Sequence, residues 1–302
     1  MQPINYIDRK TGKECVEQVY GAAFLRLLYG SGLDTQLFGQ PLAHVLARIP
    51  LFSAFYGWLQ NRKCSAKKVL PFIKTFGVDT SEFTQDPATF TSFNNFFTRH
   101  LKATARPIAE GANRAVIPAD GRYLFYQNIK EADGFVVKGE KFDLATLLQD
   151  KQLASKYSEG AMAIARLCPT DYHRYHFPCD GIPSDTHFIN GWLYSVNPAA
   201  IKKNVKIFAE NKRTVCVLDT AAFGKVLFME IGATCVGAIH ETYAAGKVCK
   251  KGDEKGYFSF GASSLILLFP PHTIRFDQDL LDASAKHVEI RCLMGESMGT
   301  VS

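Results

Sequence analysis

The amino-acid sequence predicts an α+β fold in which a helical N-terminal region precedes a β-rich, mainly antiparallel core. Residues 16–76 carry apolar side chains at helical spacing, whereas apolar and β-branched segments recur between turn residues from about residue 115 onward. No regular helices separate those later segments, which favours antiparallel sheets over a doubly wound parallel sheet. We therefore divide the chain into residues 1–80 and residues 81–302.

The composition is typical of a globular intracellular protein. Of 302 residues, 47% are hydrophobic and 21% are charged, and the net charge is +6, so large-scale disorder is excluded. The eight cysteines form no Cys-x-x-Cys pair and the first ten residues contain no apolar leader segment, so we expect free thiols in a reducing compartment. No run approaches the roughly 20 apolar residues of a membrane-spanning helix, so any membrane association would be peripheral.

The helical region combines basic and aromatic side chains. Apolar residues recur at i, i+3 and i+4 in residues 24–29 and 42–48, and no acidic residue lies between Asp34 and Asp79. The basic residues of this gap are Arg48, Arg62, Lys63, Lys67, Lys68 and Lys74, and they alternate with Phe52, Phe55, Tyr56, Trp58 and Phe72. This pattern is typical of helices that bind an anionic bilayer, at roughly 1 kcal/mol per basic residue near the surface. An ordinary helical subdomain with a solvated lysine face is the alternative.

The rest of the chain consists of a predicted connector, at residues 81–107, and a β-rich part. Strands are predicted at residues 115–117, 123–126, 135–137, 162–167, 186–196, 214–218, 226–231, 264–269 and 287–293. One short helix is predicted among them, at residues 144–150.

Residues 171–176 hold two histidines three positions apart among aromatic residues. Three interpretations are open. His173 and His176 could bind a metal together with Cys179 or His187, they could act as acid and base because imidazole titrates near neutrality, or they could be satisfied by hydrogen bonds in a loop. A spacing of three directs the two side chains to opposite faces of a strand, whereas a turn lets them converge.

Two further residues, Asp120 and Ser263, suggest nucleophilic chemistry together with His176. Asp120 follows a short apolar run in a Pro-Ala-Asp-Gly turn, and Ser263 stands at the head of an apolar strand. Together with His176 they are the components of a nucleophile, a base and a group that orients the base. Leu265 occupies the last position of a Gly-x-Ser-x-Gly pattern, so an ordinary α/β-hydrolase is disfavoured.

Seven motifs follow one another in order along the chain. They are Phe96-Phe97-x-Arg99-x-Leu101-Lys102 with Arg106-Pro107; Pro118-x-Asp120-Gly121; Pro169-x-Asp171-Tyr172-His173-Arg174-x-His176; Gly191-Trp192-Leu193-Tyr194-Ser195-Val196-Asn197-Pro198; Asn211-x-Arg213; Gly232-Ala233-Thr234-x-Val236-Gly237; and Lys251-Gly252-x-Glu254-x-Gly256-x-Phe258. Together they resemble the phosphatidylserine decarboxylase family, over most of the chain from about residue 94 to residue 269. Each motif is weak alone, but seven in one order are highly specific.

The resemblance implies a proenzyme that cuts itself between Ala262 and Ser263. The products would be a β chain of residues 1–262 and an α chain of residues 263–302, which form a heterodimer. Ser263 would become a covalently bound pyruvoyl group, the pyruvate-derived cofactor of the family. Ala262 stands where the family usually has glycine, and glycine reaches backbone conformations that alanine resists.

The resemblance also implies roles for the individual residues. Asp120 would orient His176, His176 would deprotonate Ser263, and the serine oxygen would attack the carbonyl of Ala262. The pyruvoyl group would then decarboxylate phosphatidylserine to phosphatidylethanolamine through a Schiff base, with His173 transferring a proton. Neither a metal nor a diffusible cofactor is expected.

The expected partners are phosphatidylserine in an anionic membrane surface and the second chain of the same proenzyme. A higher oligomer is left open, and no nucleic acid is expected. The protein is expected to be peripheral, on the cytoplasmic side of the cell membrane. Because the expected substrate lies in an anionic bilayer, the membrane-docking interpretation of residues 1–80 is favoured.

Two other functions stay open from the sequence. The chain could be a Ser-His-Asp lipid hydrolase that keeps its serine, or an inactive lipid-binding relative. Three basic residues are candidates either for lipid headgroup contacts or for structural ion pairs, namely Arg99, Lys102 and Arg106. Asn197 and Arg213 are candidates for lining the pocket.

Overall fold

The computed structural model has the predicted α+β class, with mostly antiparallel sheets and short helices. It describes residues 3–29, 35, 39–48, 50–131, 143–201, 204, 206–233, 238–260 and 263–302. The helices are α1 (Ala22–Tyr29), α2 (Gln40–Arg48), α3 (Pro50–Asn61), α4 (Val69–Phe76), α5 (Phe93–Phe97), α6 (Leu144–Leu148), α7 (Lys151–Tyr157), α8 (Pro198–Ile201), α9 (Ile207–Glu210) and α10 (Gln278–Ala285). The strands are β1 (Asn5–Asp8), β2 (Lys13–Val16), β3 (Arg114–Val116), β4 (Gly121–Tyr126), β5 (Ala161–Leu167), β6 (Arg174–His176), β7 (Ile182–Pro183), β8 (His187–Ile189), β9 (Arg213–Thr220), β10 (Gly224–Ile231), β11 (Ile239–Glu241), β12 (Glu254–Phe258), β13 (Ser263–Phe269), β14 (Ile274–Phe276), β15 (Glu289–Cys292) and β16 (Ser297–Val301).

The strands form one large sheet and two small ones. The large sheet has the order β2-β1-β15-β4-β5-β13-β10-β9-β7, with β8 also paired to β9. The small sheets have the orders β11-β12-β6 and β14-β16-β3. Strand β13 lies in the middle of the large sheet, between β5 and β10. Its seven residues are all buried, which explains why its apolar run is continuous rather than alternating.

The first residues differ from the prediction that residues 1–80 are helical. Strands β1 and β2 form an antiparallel hairpin, and β1 pairs in parallel with β15 near the other end of the chain. Gly12 closes the hairpin with a φ of +68°, a conformation that favours glycine. The helical region therefore begins at Ala22, and the division of the chain at residue 80 stays a prediction.

The predicted connector, residues 81–107, is also more ordered than expected. It contributes helix α5, whose N-cap Ser92 accepts a hydrogen bond from the amide of Asn95 at 3.1 Å. It also supplies most of a second apolar core, whose buried residues are Val69, Phe72, Phe83, Phe90, Phe93, Phe96, Phe97 and Phe260. This aromatic cluster joins the helical region to the segment that precedes β13, so residues 81–107 are a packing element rather than a linker.

The other predicted elements are confirmed with shifted bounds, except for two. The predicted strand at residues 186–196 forms only β8, and the one at residues 135–137 lies outside the described residues. Within the described part of the chain, no helix has both the length and the apolar character needed to cross a membrane.

Candidate active site

Ser263 is the first residue of β13, and its side chain is fully buried. The strand register places it opposite Leu167 on β5, and it places Ser264 opposite Arg166 on β5 and Ile231 on β10. The Oγ atom of Ser263 has no hydrogen-bond partner among the described residues. A buried polar group without a partner costs about 1–3 kcal/mol, so this serine is held at a cost in stability. Gly261 and Ala262, on the other side of the expected cut, lie outside the described residues.

His176 lies on β6 and presents one ring nitrogen without a partner. Its Nδ1 atom is 2.9 Å from the carbonyl oxygen of Gly252. A carbonyl can only accept, so Nδ1 carries the proton and Nε2 carries the lone pair of a neutral ring. Nε2 is buried and unpartnered among the described residues. Burial lowers the pKa of His176, which keeps the ring neutral and able to accept a proton at pH 7.

Gly252 holds this carbonyl in place through a glycine-specific conformation. Its φ is +88°, in the left-handed region, and its amide donates to the carbonyl of Phe177 at 2.9 Å. A Cβ atom here would also lie 2.9 Å from the side chain of Ile108. Gly252 therefore sets the tautomer of His176, a role that sequence reasoning missed although the glycine belongs to a family motif.

His173 has the same arrangement in a different environment. Its Nδ1 atom donates to the carbonyl oxygen of Asp171 at 3.0 Å, and its Nε2 atom is buried without a partner in the described structure. The ring packs on Phe97, with ring centroids 3.7 Å apart. Burial lowers the pKa of His173 to about 3, so the ring is neutral. Its carbonyl accepts the amide of Phe258 at 3.0 Å, which ties it to the end of β12.

Asp120 pairs with an arginine and not with His176. Its carboxylate accepts Nη2 of Arg106 at 2.6 Å and Nε at 2.9 Å, and it also accepts the amide of Met294 at 2.9 Å. The expected hydrogen bond from His176 to Asp120 is therefore not made, because Nδ1 of His176 is bonded to Gly252. The charge of Asp120 still raises the pKa of His176, as a smaller influence than burial. Asp120 thus acts on the imidazole through space.

The three basic residues with open roles have different partners. Arg106 forms ion pairs with Asp120 and, at 2.9 Å, with Glu82. Of its two candidate roles, these contacts correspond to the structural ion pair. Lys102 is exposed and donates to the carbonyl of Ser81 at 2.7 Å. Arg99 is buried and donates to the carbonyls of Thr170 (3.1 Å) and Asp171 (3.2 Å), so it shares an acceptor with His173.

The two candidates for lining the pocket both make hydrogen bonds within the protein, Arg213 through its side chain and Asn197 through its backbone N–H. Arg213 is fully buried and donates to the carbonyls of Leu147 and Asn211, at 2.7 and 2.8 Å. The amide of Asn197 donates to Oγ of Ser195 at 3.2 Å. These contacts give Arg213 a structural role in holding loops.

A buried ion network lies beneath the start of β13. Arg166, which pairs with Ser264 in the register, contacts Glu17 at 2.7 Å and Glu289 at 2.6 Å. Arg122 pairs with the carboxylate of Asp171, which also accepts the amide of Cys168 at 2.7 Å. This network fixes the turn that carries His173. No sequence pattern pointed to this network, because its members come from distant parts of the chain.

The metal interpretation of the two histidines finds no donor set in the described structure. No group of three or more His, Cys, Asp or Glu side chains there is placed to hold a metal ion. The Nδ1 atoms of both histidines are bonded to carbonyl oxygens instead. Cys179 and the other described cysteines are free thiols.

A sequence model of the phosphatidylserine decarboxylase family matches residues 93–300. The chain belongs to the phosphatidylserine decarboxylase family. It is 48% identical over 299 residues to the phosphatidylserine decarboxylase proenzyme of Chlamydia pneumoniae, covering 99% of this chain and 98% of the relative. The corresponding proenzyme of Chlamydia caviae is 47% identical with the same coverage, and that of Chlamydia trachomatis serovar L2 is 41% identical, covering 97% and 96%. The chain is thus a decarboxylase of this family, and phosphatidylserine decarboxylation is its supported activity.

Proposed function

We propose that the chain is made as a proenzyme, cuts itself between Ala262 and Ser263, and decarboxylates phosphatidylserine with the pyruvoyl group that Ser263 becomes. The single observation that carries the proposal is that the buried Oγ of Ser263 has no partner among the described residues, which is also true of the Nε2 atoms of the two neutral imidazoles, His173 and His176. These residues fit the group: the hydroxyl that must react is free to do so, and two bases with bare nitrogens are available.

In the proposed self-cleavage, His176 accepts the proton of the Ser263 hydroxyl. The serine oxygen attacks the carbonyl carbon of Ala262, and the peptide nitrogen leaves that carbon, so the amide becomes an ester. Loss of the Cα proton of Ser263 then expels the Ala262 carboxylate and leaves a dehydroalanine. Water hydrolyses it to a terminal ketone and ammonia. Asp120 supports the first step by favouring the protonated imidazole of His176.

Once formed, the ketone would supply an electron sink for the decarboxylation of the substrate. The protein must hold and transfer a proton beside it. His173 is the proposed residue for this transfer, because its Nε2 carries a buried lone pair while Asp171 fixes the opposite nitrogen.

Mass spectrometry of the purified protein tests the proposal. We expect two fragments, residues 1–262 and residues 263–302, with the smaller one blocked to Edman sequencing and reactive toward hydroxylamine. Ser263→Ala should remove both the cut and the activity. Ser264→Ala is the matched control, since its Oγ is equally buried and unpartnered, and it should still cut before residue 263. An uncut chain that keeps an ordinary serine and still acts on lipid would favour the lipid hydrolase. An uncut chain without activity on lipid would favour the lipid-binding relative.

The two products are proposed to remain together as a heterodimer. The smaller one contributes β13, which is hydrogen-bonded on both sides, to β5 and to β10. It also contributes β14, β15 and β16, and it receives Arg9 of the larger one at Asp277 (3.0 Å) and Asp279 (2.7 Å). Gel filtration without denaturant should show both fragments in one peak.

We also propose that the protein docks peripherally on the cytoplasmic side of the cell membrane through α3. Phe55 and Trp58 are 58% and 51% exposed, their rings stack at 5.8 Å, and Arg62 lies over Trp58 at 4.7 Å. A spacing of three residues places Phe55 and Trp58 on one face of α3, and Arg62 follows directly after the end of this helix. Exposed aromatic rings beside a cation are suited to the interface of an anionic bilayer.

Flotation with vesicles tests the docking proposal. The double variant Phe55→Ser/Trp58→Ser should bind vesicles that contain an anionic phospholipid about tenfold or more weakly, because each buried ring contributes about 1.5–3 kcal/mol. Phe188→Ser is the matched control, since Phe188 is also half exposed with a cation, Lys212, over its ring. Binding that is equal for wild type and double variant, or absent on anionic and neutral vesicles alike, would remove the proposal.

A further inference from the structure

The chain just before the expected cut is fixed by hydrogen bonds from three consecutive backbone amides. The amide of Phe258 donates to His173, and that of Ser259 donates to Ala238 at 3.1 Å. The amide of Phe260 donates to the side-chain oxygen of Asn94 at 2.7 Å. Phe260 is the last described residue before Ser263, so its contacts determine where the chain approaches the cut.

The side chain of Phe260 is held as firmly as its backbone. It is buried, and four rings surround it, with centroids at 4.9 Å (Phe97), 5.1 Å (Phe93), 5.8 Å (Tyr56) and 6.2 Å (Tyr20). Two of these rings belong to α5 and two belong to the first 60 residues of the chain. We call Phe260, Asn94 and these four rings the Phe260 anchor.

The chain just after the expected cut is fixed by a different part of the molecule. Ser263 and Ser264 enter the ladder of the large sheet between β5 and β10. The residues before the cut belong instead to the small sheet β11-β12-β6 and to the aromatic cluster. Only two residues separate Phe260 from Ser263 at the start of β13, and the three Cα–Cα steps between them span at most about 11 Å.

This short span makes the reaction sensitive to the position of the anchor. Attack requires the oxygen of Ser263 to lie about 3–3.5 Å from the carbonyl carbon of Ala262, and a displacement of about 1 Å can cost 10²-fold in rate. With the Ser263 side fixed in the sheet, a shift of Phe260 moves the carbonyl away from the attacking oxygen.

We infer that Asn94 and Phe260 are positioning residues for self-cleavage and not for the later decarboxylation. The inference rests on the proposed self-cleavage. Once the bond is broken, Phe260 belongs to the chain that ends at residue 262 and is no longer joined covalently to residue 263. The covalent link between the anchor and the reacting group therefore ends with the cut, although Phe97 of the anchor still packs on His173.

The test measures cleavage and turnover separately in Asn94→Ala and Phe260→Leu. Freshly translated chain is followed by gel for the rate of cutting, and the cut protein is assayed for decarboxylation per mole of ketone, titrated with a hydrazine. We expect cutting to slow by about 10²-fold, while turnover per ketone stays within about twofold of wild type. Asn94→Asp keeps a side-chain oxygen acceptor and should restore most of the cutting rate.

Phe90→Leu is the matched control for loss of packing. Phe90 belongs to the same aromatic cluster and contacts Phe83 and Phe96, with no ring contact to Phe260. It should lower the thermal unfolding temperature as Phe260→Leu does, yet cut at the wild-type rate. Equal slowing in Phe90→Leu, wild-type cutting in Asn94→Ala, or a parallel loss of turnover per ketone would each overturn the inference. A wild-type chain that never cuts would overturn both the inference and the proposed function, whereas the other three outcomes leave the proposed function intact.

Discussion

The protein buries two clusters of polar side chains, one almost completely paired and one largely unpaired. In the paired cluster, the fully buried Lys255 of β12 contacts Glu230 at 2.6 Å and Glu241 at 2.9 Å, and Thr214 donates to Glu230 at 2.5 Å. Nζ of Lys255 also lies 4.8 Å from the centre of the Tyr243 ring. Within this group of side chains in the described structure, only Oε1 of Glu241 lacks a partner.

The candidate active site is the opposite case. There Oγ of Ser263 and the Nε2 atoms of His173 and His176 are all buried without partners in the described residues. Buried polar groups are normally hydrogen-bonded, and each exception costs stability. Pairing serves the fold in one cluster, and under the proposed function the other cluster keeps its atoms free for reaction. Four substitutions test this distinction.

The largest effect is expected for His176→Ala. Removing the proposed general base should slow self-cleavage by up to about 10⁴-fold, or about 5.5 kcal/mol of barrier. The fraction of cut chain is followed over time after synthesis. Glu241→Gln alters the paired cluster without touching the active site and should cut at the wild-type rate. If His176→Ala cuts as quickly as Glu241→Gln does, His176 is not the base.

The sequence predicted the elements whose signal is local. The apolar run of β13 and the turn before β4 are properties of a few adjacent residues, and both lie where they were expected. The hairpin β1–β2 was missed because its partner strand β15 lies more than 270 residues away along the chain. Helical spacing in the following residues dominated the interpretation of residues 1–80.

Residue types in the active site were predictable, but their pairing was not. Asp120 and His176 are separated in sequence from the groups that they bond, Arg106 and the carbonyl of Gly252. A backbone carbonyl has no sequence signature, because every residue has one. The competition of an arginine for Asp120 depends on the path of residues 81–107, which were interpreted as a connector, and the structural ion-pair role that was left open for Arg106 came without a named partner.

The second prediction concerns the paired cluster. Lys255→Met should lower the free energy of unfolding by about 3–5 kcal/mol, because it leaves the buried carboxylate of Glu230 without its cation. Chemical denaturation should be measured in the uncut Ser263→Ala background, where one chain unfolds. Adding Glu230→Gln should recover most of the loss, since the remaining carboxylate without its cation, that of Glu241, is partly exposed to solvent. In cut protein, Lys255→Met should leave turnover per ketone unchanged; a large loss would place this cluster in the reaction.

The third prediction separates the two histidines. His173→Ala should cut close to normally but lose about 10²-fold in decarboxylation per ketone, or about 2.7 kcal/mol, because a positioned proton-transfer group is gone. Hydrazine titration gives the ketone content, and product formation gives the turnover. His187→Ala, on the exposed side of β8, is the control and should match wild type in both assays. Blocked cutting with normal turnover would reverse the roles assigned here to His173 and His176.

The smallest effect is expected for Asp120→Asn, and it concerns pH. His176 must be neutral to accept a proton, and burial lowers its pKa, so wild-type cutting should hold its rate as pH falls until it approaches a value below the ordinary 6.5. Asp120, by its negative charge, raises this pKa. Asp120→Asn removes that charge and leaves Arg106 with one carboxylate fewer, so the pKa of His176 falls further and the acid limb of the rate profile moves to lower pH.

The displacement toward lower pH should come with a modest drop of the plateau because the base becomes weaker. The profile is measured between about pH 5 and pH 8, across the titration range of histidine. Asp282→Asn, on the exposed face of α10, is the control and should leave the profile in place. An aspartate that orients the imidazole by a direct hydrogen bond gives a different result, a plateau lower by about 10⁴-fold. A loss of that size would mean that, during the cutting reaction, Asp120 leaves Arg106 and accepts a hydrogen bond from His176.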